Sequence, residues 1–491
     1  MIKTKIVATI GPSSESEAML EKLMKAGLNV ARFNMSHGSY PEHLAKIERV
    51  KKLNKKLGKN VGLMLDTKGP EIRLGVFAEE PVLLVQGSEF TLTTKDVVGD
   101  TERVSITYKG LVDDVKVGST ILLDDGLIEL EVVKLKKEDI VCLVKNTGNI
   151  KSKKGVNVPG IKLSLPALTD RDKEDIKFGV ENDVDFIAAS FVRKVQDVLD
   201  LRSYLNSING DKVKIIAKIE NQEGIDNYDA ILELVDGVMV ARGDMGVEVP
   251  IARLPQIQND MIKKATAAGT MVITATQMLE SMVSNPRPTR AEVSDVANAI
   301  YDGTGAIMLS GESASGKYPV ECINMMKNIA EETESSIDYW NRFKKRNVSK
   351  LGAYVEAEDE DESKDANLFR RQINFAVCSS ALFTEAKAII SISEKGKTPA
   401  VLSGYRPKCP IYVFTANEKT YRQLSLEWGI TAYCFPNEHN FEEILKKGVD
   451  TLIAEKHLKK GDIVILGGGT TNDHISENYL STQAMGAVIR I

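Results

Sequence analysis

The sequence predicts an α/β protein built around a (β/α)8 barrel of the TIM-barrel type, and three observations support this fold class. Eight apolar, β-branched runs recur with helical stretches between them, as in a parallel sheet covered on both faces. One long insertion separates the third run from the fourth. Without it, residues 1–70 and 167–338 supply close to the roughly 250 residues of such a barrel. The runs are centred near Ile6, Val30, Leu63, Phe186, Ile215, Val238, Val272 and Ile307.

The insertion, residues 71–166, has a different pattern from the barrel repeats. Short alternating runs, at 89–93, 119–123 and 140–144, are separated by turns rich in Gly, Asp and Lys. This pattern predicts a small β-barrel domain inserted after the third strand. Proline-containing junctions at its two ends are suited to a hinge, so we expect the domain to form a lid over the barrel mouth.

Residues 339–491 are predicted to form a third domain. Apolar strands at 388–392, 411–414 and 463–466 alternate with helical stretches, which indicates a smaller C-terminal α/β domain. The acidic segment 356–365 is expected to be a solvated loop.

Composition excludes several classes of protein. The net charge of −5 argues against general nucleic-acid binding. The chain shows no signal peptide and no apolar run of membrane-spanning length, so we expect a cytoplasmic protein without membrane contact. The 5 cysteines lack the paired spacing of a zinc or redox site.

Polar residues follow six of the predicted barrel strands. The active site of such a barrel lies at the carboxyl ends of its strands. Any one of these residues could serve only as a helix cap or an ion-pair partner. Six polar strand ends on one rim instead favour a ligand site, because burying so many charges without ligands would be costly. The polar segments at these six strand ends begin at Arg32, Asp66, Lys218, Arg242, Thr276 and Ser310.

The donor types at this rim suggest two metal sites and a phosphoryl site. Glu220 and Asp244 are hard oxygen donors on adjacent strands, as Mg²⁺ or Mn²⁺ requires. Lys218 and Arg32 would offset the charge of a transferring phosphoryl group. A second set offers mostly neutral oxygens that suit a monovalent ion: Asn34, Ser36, Asp66 and Thr67.

These motifs resemble the pyruvate kinase family over essentially the whole chain. The resemblance rests on TKIVATIGP at 4–12, RFNMSHG at 32–38, DTKGPEIR at 66–73, KIEN at 218–221, ARGD at 241–244 and ATQMLESM at 275–282. It implies phosphoryl transfer from phosphoenolpyruvate to ADP, giving pyruvate and ATP in the last step of glycolysis. It also implies a homotetramer.

The resemblance assigns roles residue by residue. Glu220 and Asp244 would hold the Mg²⁺ that bridges phosphoenolpyruvate, and the monovalent set would hold K⁺. The implied catalytic residues are Lys218, Arg32, Thr276 and Arg73. The implied substrate-binding residues are Lys218, Gly243, Asp244 and Thr276, and the nucleotide-binding residues are Pro12, Asn34, His37 and Lys154. Whether Thr276 or a water that it positions protonates the enolate stays open.

Two further expectations concern the dependence on K⁺ and the binding of a regulatory effector. Relatives that dispense with K⁺ carry Lys where this chain has Glu71, so we expect K⁺ dependence. The loop 393–398 resembles the family's effector phosphate site, with Ser393, Lys395, Gly396, Lys397 and Thr398 as binding residues, although it could be only a glycine turn with a helix cap. The glycines at 467–469 lack an arginine, which favours a monophosphate such as AMP or a pentose phosphate over a bisphosphate.

Two alternatives remain at this stage. Another Mg²⁺-dependent barrel acting on enolates, such as a lyase or mutase, would not need the lid or the monovalent-ion oxygens. A non-catalytic sensor of phosphorylated metabolites gives no reason to combine Lys218, Glu220, Asp244 and Thr276. Formation of ATP from phosphoenolpyruvate and ADP separates the three.

Overall fold

The computed structural model describes residues 2–345, 362–438, 440–468 and 485–491. Eight parallel strands form a closed barrel in which neighbours in sequence are neighbours in space, and the predicted fold class is confirmed. The barrel strands are β1 (Lys5–Thr9), β2 (Val30–Asn34), β3 (Gly62–Asp66), β4 (Phe186–Ala189), β5 (Lys214–Ile219), β6 (Gly237–Ala241), β7 (Met271–Ala275) and β8 (Ala306–Leu309).

Helices cover the outside of the barrel because the longer ones present an apolar stripe to the strands. Several begin at strong caps: Thr169 and Thr289 form capping boxes with Asp172 and Glu292. The helices of this part of the chain are Glu17–Ala26, Tyr40–Leu57, Asp170–Glu181, Val195–Ser207, Gln222–Asp226, Tyr228–Leu232, Arg242–Glu248, Leu254–Ala268, Arg290–Asp302, Gly311–Ala314, Pro319–Ser335 and Tyr339–Phe343.

The interior of the barrel is apolar near the amino ends of its strands. Val30, Phe186 and Met271, each the first residue of its strand, belong to one buried cluster. Leu426, from the C-terminal part of the chain, is fully buried in the same cluster. The C-terminal domain therefore closes the amino end of the barrel, and the carboxyl end faces the inserted domain.

The inserted region forms a small closed barrel around its own apolar core. One six-stranded sheet runs from the strand Val156–Asn157 to the strand Arg103–Ser105. The segment 72–75 closes this sheet by bonding to both of its edges. At one edge, the Val156 N–H donates to the Ile72 carbonyl and the Leu74 N–H donates to the Lys154 carbonyl. At the other edge, residue 73 bonds to residue 107 and residue 75 to residue 105. The strands are Val82–Leu84, Glu89–Thr93, Arg103–Ser105, Thr120–Leu123, Ile128–Leu135, Asp139–Val144, Gly148–Ile150 and Val156–Asn157, with the helix Leu111–Asp114 between them.

The C-terminal part is an α/β domain with a five-stranded sheet. In spatial order its strands are Ile430–Cys434, Ile411–Thr415, Ala388–Ile392, Ile463–Gly468 and Met485–Arg490; the last is antiparallel to its neighbour. Its helices are Glu362–Phe383, Lys397–Gly404, Glu418–Gln423 and Phe441–Ala454. The strands at 430–434 and 485–490 were not predicted.

The expectation of a loop over 356–365 is wrong for residues 362–365. The helix Glu362–Phe383 begins inside this acidic segment, and residues 356–361 lie outside the described part of the chain. Acidic residues suit the first turns of a helix because they complement its positive dipole end, so an acidic run need not be a loop. Among the described residues, no helix is both long and apolar enough to cross a membrane.

Candidate active site

The barrel interior changes from apolar to charged at the carboxyl ends of β2, β3 and β5. Arg32 Nε lies 2.6 Å from Asp66 Oδ2. Lys218 Nζ lies 3.1 Å from Asp66 Oδ1 and 3.0 Å from Glu220 Oε1. All four side chains are almost fully buried. The period-two alternation that placed Lys218 and Glu220 on one face is confirmed by their ion pair.

Burial and charge set the protonation of this cluster. Burial opposes the ammonium of Lys218, yet Asp66 and Glu220 raise its pKa. Burial also opposes ionisation of Asp66, but Arg32 and Lys218 hold its pKa below the usual range. Burial raises the pKa of Glu220 to about 7, although Lys218 opposes the shift. Glu220 therefore lacks enough positive charge nearby, and a bound cation would correct this.

Asp244 lies at the same pole, on the rim of a cleft. It sits in the first turn of the helix Arg242–Glu248, which follows β6 without a loop. Its charge raises the pKa values of Glu220 and Lys218, so the three side chains are electrostatic neighbours. Because Mg²⁺ is six-coordinate, Glu220 and Asp244 would leave coordination positions for other oxygens. Among the described residues, no group of three acidic, His or Cys ligands occurs.

Thr276 is held in a left-handed conformation after β7. Its φ is 69°, which is uncommon for a β-branched residue and marks a constrained site. Arg242 Nη2 donates to the Thr276 carbonyl at 2.7 Å, and Asp295 fixes this guanidinium at 2.6 Å. The Thr276 hydroxyl accepts from the Gly243 N–H at 2.8 Å. Gly243 and Thr276, two of the predicted substrate-binding residues, are therefore in direct contact.

The four residues of the predicted monovalent-ion set lie on adjacent strand ends. Asn34 pairs in register with Asp66, and the Asn34 side chain accepts from the Ser36 N–H at 3.1 Å. Thr67 follows Asp66 and is buried. Because Arg32 and Lys218 balance the charge of the Asp66 carboxylate, the amide, hydroxyl and carbonyl oxygens around it would offer a cation an environment of low charge.

A cleft of about 270 Å³ separates the inserted domain from the barrel. Asp244 lines it from the barrel side, and Arg73 and Lys154 line it from the inserted domain. Arg73 is held by Glu71 at 2.7 Å, and Lys154 by Asp124 at 2.9 Å. Two other predicted nucleotide-binding residues, Pro12 and His37, are exposed beyond β1 and β2 and do not line this cleft.

Sequence reasoning missed two buried hydroxyls at this pole. Ser190 follows β4, accepts from Lys218 Nζ at 2.6 Å and donates to the Thr67 carbonyl at 2.6 Å. Thr9, the last residue of β1, accepts from Arg32 Nη1 at 2.7 Å. The signal that would have found them is their position, since the ends of the first and fourth strands belong to the same rim as the other six.

The predicted effector loop lies at the carboxyl end of the strand Ala388–Ile392. The chain leaves this strand toward one side of the sheet and later returns on its other side, at Ile463–Gly468, so the loop lies at a topological switch point. The Ser393 hydroxyl accepts from the Gly396 N–H at 3.0 Å, and Gly396 has a φ of 72°. Lys395 and Lys397 are exposed beside it. Gly469 lies outside the described residues.

Comparison with known proteins identifies the family. The family model for the pyruvate kinase barrel domain matches residues 1–323, and the model for the pyruvate kinase alpha/beta domain matches residues 371–481. The chain belongs to the pyruvate kinase family. Members of this family are phosphotransferases that convert phosphoenolpyruvate and ADP to pyruvate and ATP.

Individual relatives agree over the full length. A pyruvate kinase of Clostridium acetobutylicum is 46% identical over 99% of this chain and 100% of its own. One from Bacillus licheniformis is 46% identical over 100% of this chain and 81% of its own. A crystal structure of a pyruvate kinase from Cryptosporidium parvum has a TM-score of 0.91 at 35% identity and covers 100% of this chain and 96% of that one. The predicted family membership is thus confirmed.

Proposed function

We propose that this chain transfers the phosphoryl group of phosphoenolpyruvate to ADP, giving pyruvate and ATP. The observation that carries the proposal is the buried Lys218, which is held between Asp66 and Glu220 at the carboxyl pole of the barrel. A fixed ammonium there faces the position where an anionic phosphoryl group would be transferred. Preorganised charge of this kind supplies most of the catalysis in phosphoryl transfer.

Each basic residue of the pole has a distinct task in this proposal. Lys218 and Arg32 stabilise the phosphoryl charge during transfer, and Arg73 adds positive charge from the lid side of the cleft. The Gly243 N–H donates to the Thr276 hydroxyl at 2.8 Å, which places both groups at one point of the rim, and in this proposal they exchange that bond for the carboxylate and enolate of the substrate. Thr276, or a water that it positions, protonates the enolate carbon. The lid helps to exclude water.

The donor chemistry fits the two metals that the family generally uses. Glu220 and Asp244 would hold Mg²⁺ or Mn²⁺, since both offer carboxylate oxygens and the buried Glu220 needs positive charge. Asn34, Ser36, Asp66 and Thr67 would hold K⁺ with mostly neutral oxygens. When bound, these ions neutralise charge on the two anionic substrates and bring them together. The nucleotide would lie toward Pro12, Asn34, His37 and Lys154.

The decisive experiment is ATP formation from phosphoenolpyruvate and ADP with Mg²⁺, followed by coupled pyruvate reduction. Activity should depend on K⁺, because Glu71 adds no positive charge that could replace the monovalent ion. Absence of ATP formation would reject the function. Equal rates with Na⁺, K⁺ or neither would reject only the K⁺ requirement.

Regulation by a phosphorylated metabolite is also part of the proposal. The switch-point loop with Ser393, Lys395, Gly396, Lys397 and Thr398 supports a phosphate site in the C-terminal domain, and a monophosphate is favoured. Replacing Ser393 and Thr398 by Ala should abolish activation by AMP or ribose 5-phosphate and leave basal turnover intact. Retained activation would place the effector elsewhere. A cytoplasmic homotetramer completes the proposal, and the mass of the protein in solution tests the tetramer.

A further inference from the structure

The Ser190 hydroxyl occupies a position that the proposed roles leave unexplained. It is 5% exposed and follows β4 directly. It lies 2.6 Å from Lys218 Nζ and 2.6 Å from the Thr67 carbonyl oxygen, with Asp66 Oδ1 farther away at 3.4 Å. It therefore stands between the proposed phosphoryl-transfer lysine and a proposed monovalent-ion ligand.

Chemistry fixes the direction of these two hydrogen bonds. An ammonium only donates and a carbonyl only accepts. The Ser190 hydroxyl must therefore accept a hydrogen bond from Lys218 and donate one itself. Of its two possible acceptors, the Thr67 carbonyl oxygen is nearer than Asp66 Oδ1. A carbonyl oxygen has two lone pairs, so Thr67 can accept from Ser190 and still ligate a cation.

The backbone of Thr67 does not need this bond to stay in place. The Thr67 N–H donates to the Ala188 carbonyl at 3.0 Å, and the Ser190 N–H donates to the Thr67 hydroxyl at 3.1 Å. Both bonds survive removal of the Ser190 hydroxyl. Lys218 likewise keeps its ion pairs with Asp66 and Glu220. The hydroxyl is thus dispensable for the fold of this segment, and its contribution lies in connecting two groups of the site.

We propose that Ser190 is a positioning residue that couples the monovalent-ion site to Lys218. Its hydroxyl aligns the Thr67 carbonyl on the cation side and one N–H of Lys218 on the phosphoryl side, so that occupancy of one site orders the other. The inference rests on the proposed function for the roles of Lys218 and Thr67.

Thr9 provides a matched comparison within the same pole. Its hydroxyl accepts from Arg32 Nη1 at 2.7 Å and donates to the Leu309 carbonyl at 3.1 Å. The arrangement repeats that of Ser190, with a basic side chain, a buried hydroxyl and a backbone carbonyl. Leu309 is not among the proposed ion ligands. Arg32 also pairs with the proposed ion ligand Asp66, but through its Nε and not through the Nη1 that contacts Thr9. Loss of the Thr9 hydroxyl should therefore disturb Arg32 with a much smaller effect on the affinity for K⁺ than loss of the Ser190 hydroxyl.

The test uses the full-length chain with two readouts. The first is the K⁺ concentration that gives half of the K⁺-induced rise in melting temperature, measured without substrates. The second is kcat and KM for phosphoenolpyruvate at saturating K⁺. Ser190→Ala should raise the K⁺ midpoint about tenfold, as loss of a metal ligand's supporting partner does. It should lower kcat by about tenfold or more, as loss of a hydrogen bond to a charged group does, with a smaller change in KM.

Matched variants separate the hydroxyl from its size and from general damage. Ser190→Thr and Ser190→Val have nearly the same volume, and only Thr keeps a hydroxyl, so Thr should retain both properties better than Val. Thr9→Val should lower kcat and raise the K⁺ midpoint much less than Ser190→Val does. Ser403→Ala removes a buried hydroxyl bonded to the Trp428 carbonyl, far from the site, and should change neither readout.

Three outcomes would overturn the inference: an unchanged K⁺ midpoint in Ser190→Ala, equal losses in the Thr and Val variants, or an equal rise of the midpoint in Thr9→Val. These are distinct from failure of the proposed function, which would appear as a wild-type chain without ATP formation. In that case the substrate-free K⁺ measurement still decides whether Ser190 serves the ion site.

Discussion

The two ends of the barrel both contain buried charges, but they are balanced differently. At the amino end, the buried Asp185 lies 3.0 Å from Arg422 Nε and 3.6 Å from Lys419 Nζ, and the same two cations also pair with the more exposed Asp183. At the carboxyl end, Arg32 pairs with Asp66, and Lys218 is shared between Asp66 and Glu220, so Glu220 has only this shared cation. The first end is covered by the C-terminal domain, whereas at the second end the neighbouring Asp244 lines the cleft beside the inserted domain.

This difference indicates two roles for buried charge: at the amino end it joins two domains, and at the carboxyl end it would bind a ligand. At the amino end, Asp185 also accepts from the Leu63 N–H at 2.9 Å, so its carboxylate joins the barrel wall to the C-terminal domain. At the carboxyl end, Glu220 keeps a pKa near 7 because burial is not fully offset. Substitutions at the amino end should therefore affect stability, and those at the carboxyl end should affect turnover.

The largest effect is expected for Arg422→Met at the amino end. Removing one partner of a buried ion pair typically costs about 3–5 kcal/mol of stability. Burial raises the pKa of Asp185, and only Lys419 at 3.6 Å and the Leu63 N–H would remain to support its charge, so we expect a loss at the lower end of this range. Chemical denaturation followed by circular dichroism measures the loss. The double variant Asp185→Asn/Arg422→Met should recover part of it, and kcat of the folded enzyme should stay near the wild-type value.

An exposed ion pair provides the control for this prediction. Lys25 lies 2.6 Å from Glu21 on the helix Glu17–Ala26, and its side chain is 62% exposed. Lys25→Met should cost less than about 1 kcal/mol. The proposed difference between the two ends would be wrong if Arg422→Met cost as little stability as Lys25→Met. It would also be wrong if Arg422→Met lowered kcat strongly at unchanged stability.

Lys218→Met tests the carboxyl end. We expect kcat to fall by about 10²–10³, because a preorganised charge at the transferring group is lost, with a much smaller change in KM for phosphoenolpyruvate. Steady-state kinetics at saturating Mg²⁺ and K⁺ measures both. Lys264→Met, which removes an exposed partner of Asp229, serves as the control. An unchanged kcat would remove Lys218 from the mechanism.

The buried Lys5 at the amino end should make the stability of the protein depend on pH. This residue is buried at the amino end, where its ammonium donates to the Ile430 carbonyl at 2.6 Å. Burial lowers its pKa from 10.5 to about 8, although Glu334 and Glu427 oppose the shift. The unfolded chain then binds more protons between pH 8 and 10.5, so the free energy of unfolding should rise across this window, by on the order of 3 kcal/mol.

The difference between wild type and Lys5→Met isolates this contribution from the other groups that titrate at alkaline pH. The variant should lose the rise, and kcat should be unaffected at any pH in the window. Parallel stability curves for the two proteins would contradict the burial of a charged Lys5.

Much of the molecule was predictable because its signals are local. The eight apolar runs predicted the barrel strands, since burial on both faces of a parallel sheet leaves a continuous apolar signature. Strand-end position and alternation placed Arg32, Asp66, Lys218 and Glu220 on one rim. The acidic segment was misjudged from 362 onward, because composition alone does not distinguish a solvated loop from a charged first turn of a helix.

The sequence by itself determined the fold class, the family and which residue types line the pole, because periodicity and motif order are properties of the chain. Only the tertiary structure decided how these groups share protons and charge. Ser190 and Thr9 became visible as anchors of Lys218 and Arg32 once strands distant in sequence were adjacent in space. Hydrogen-bond direction and the balance of buried charge depend on distances between such strands, and a sequence does not contain those distances.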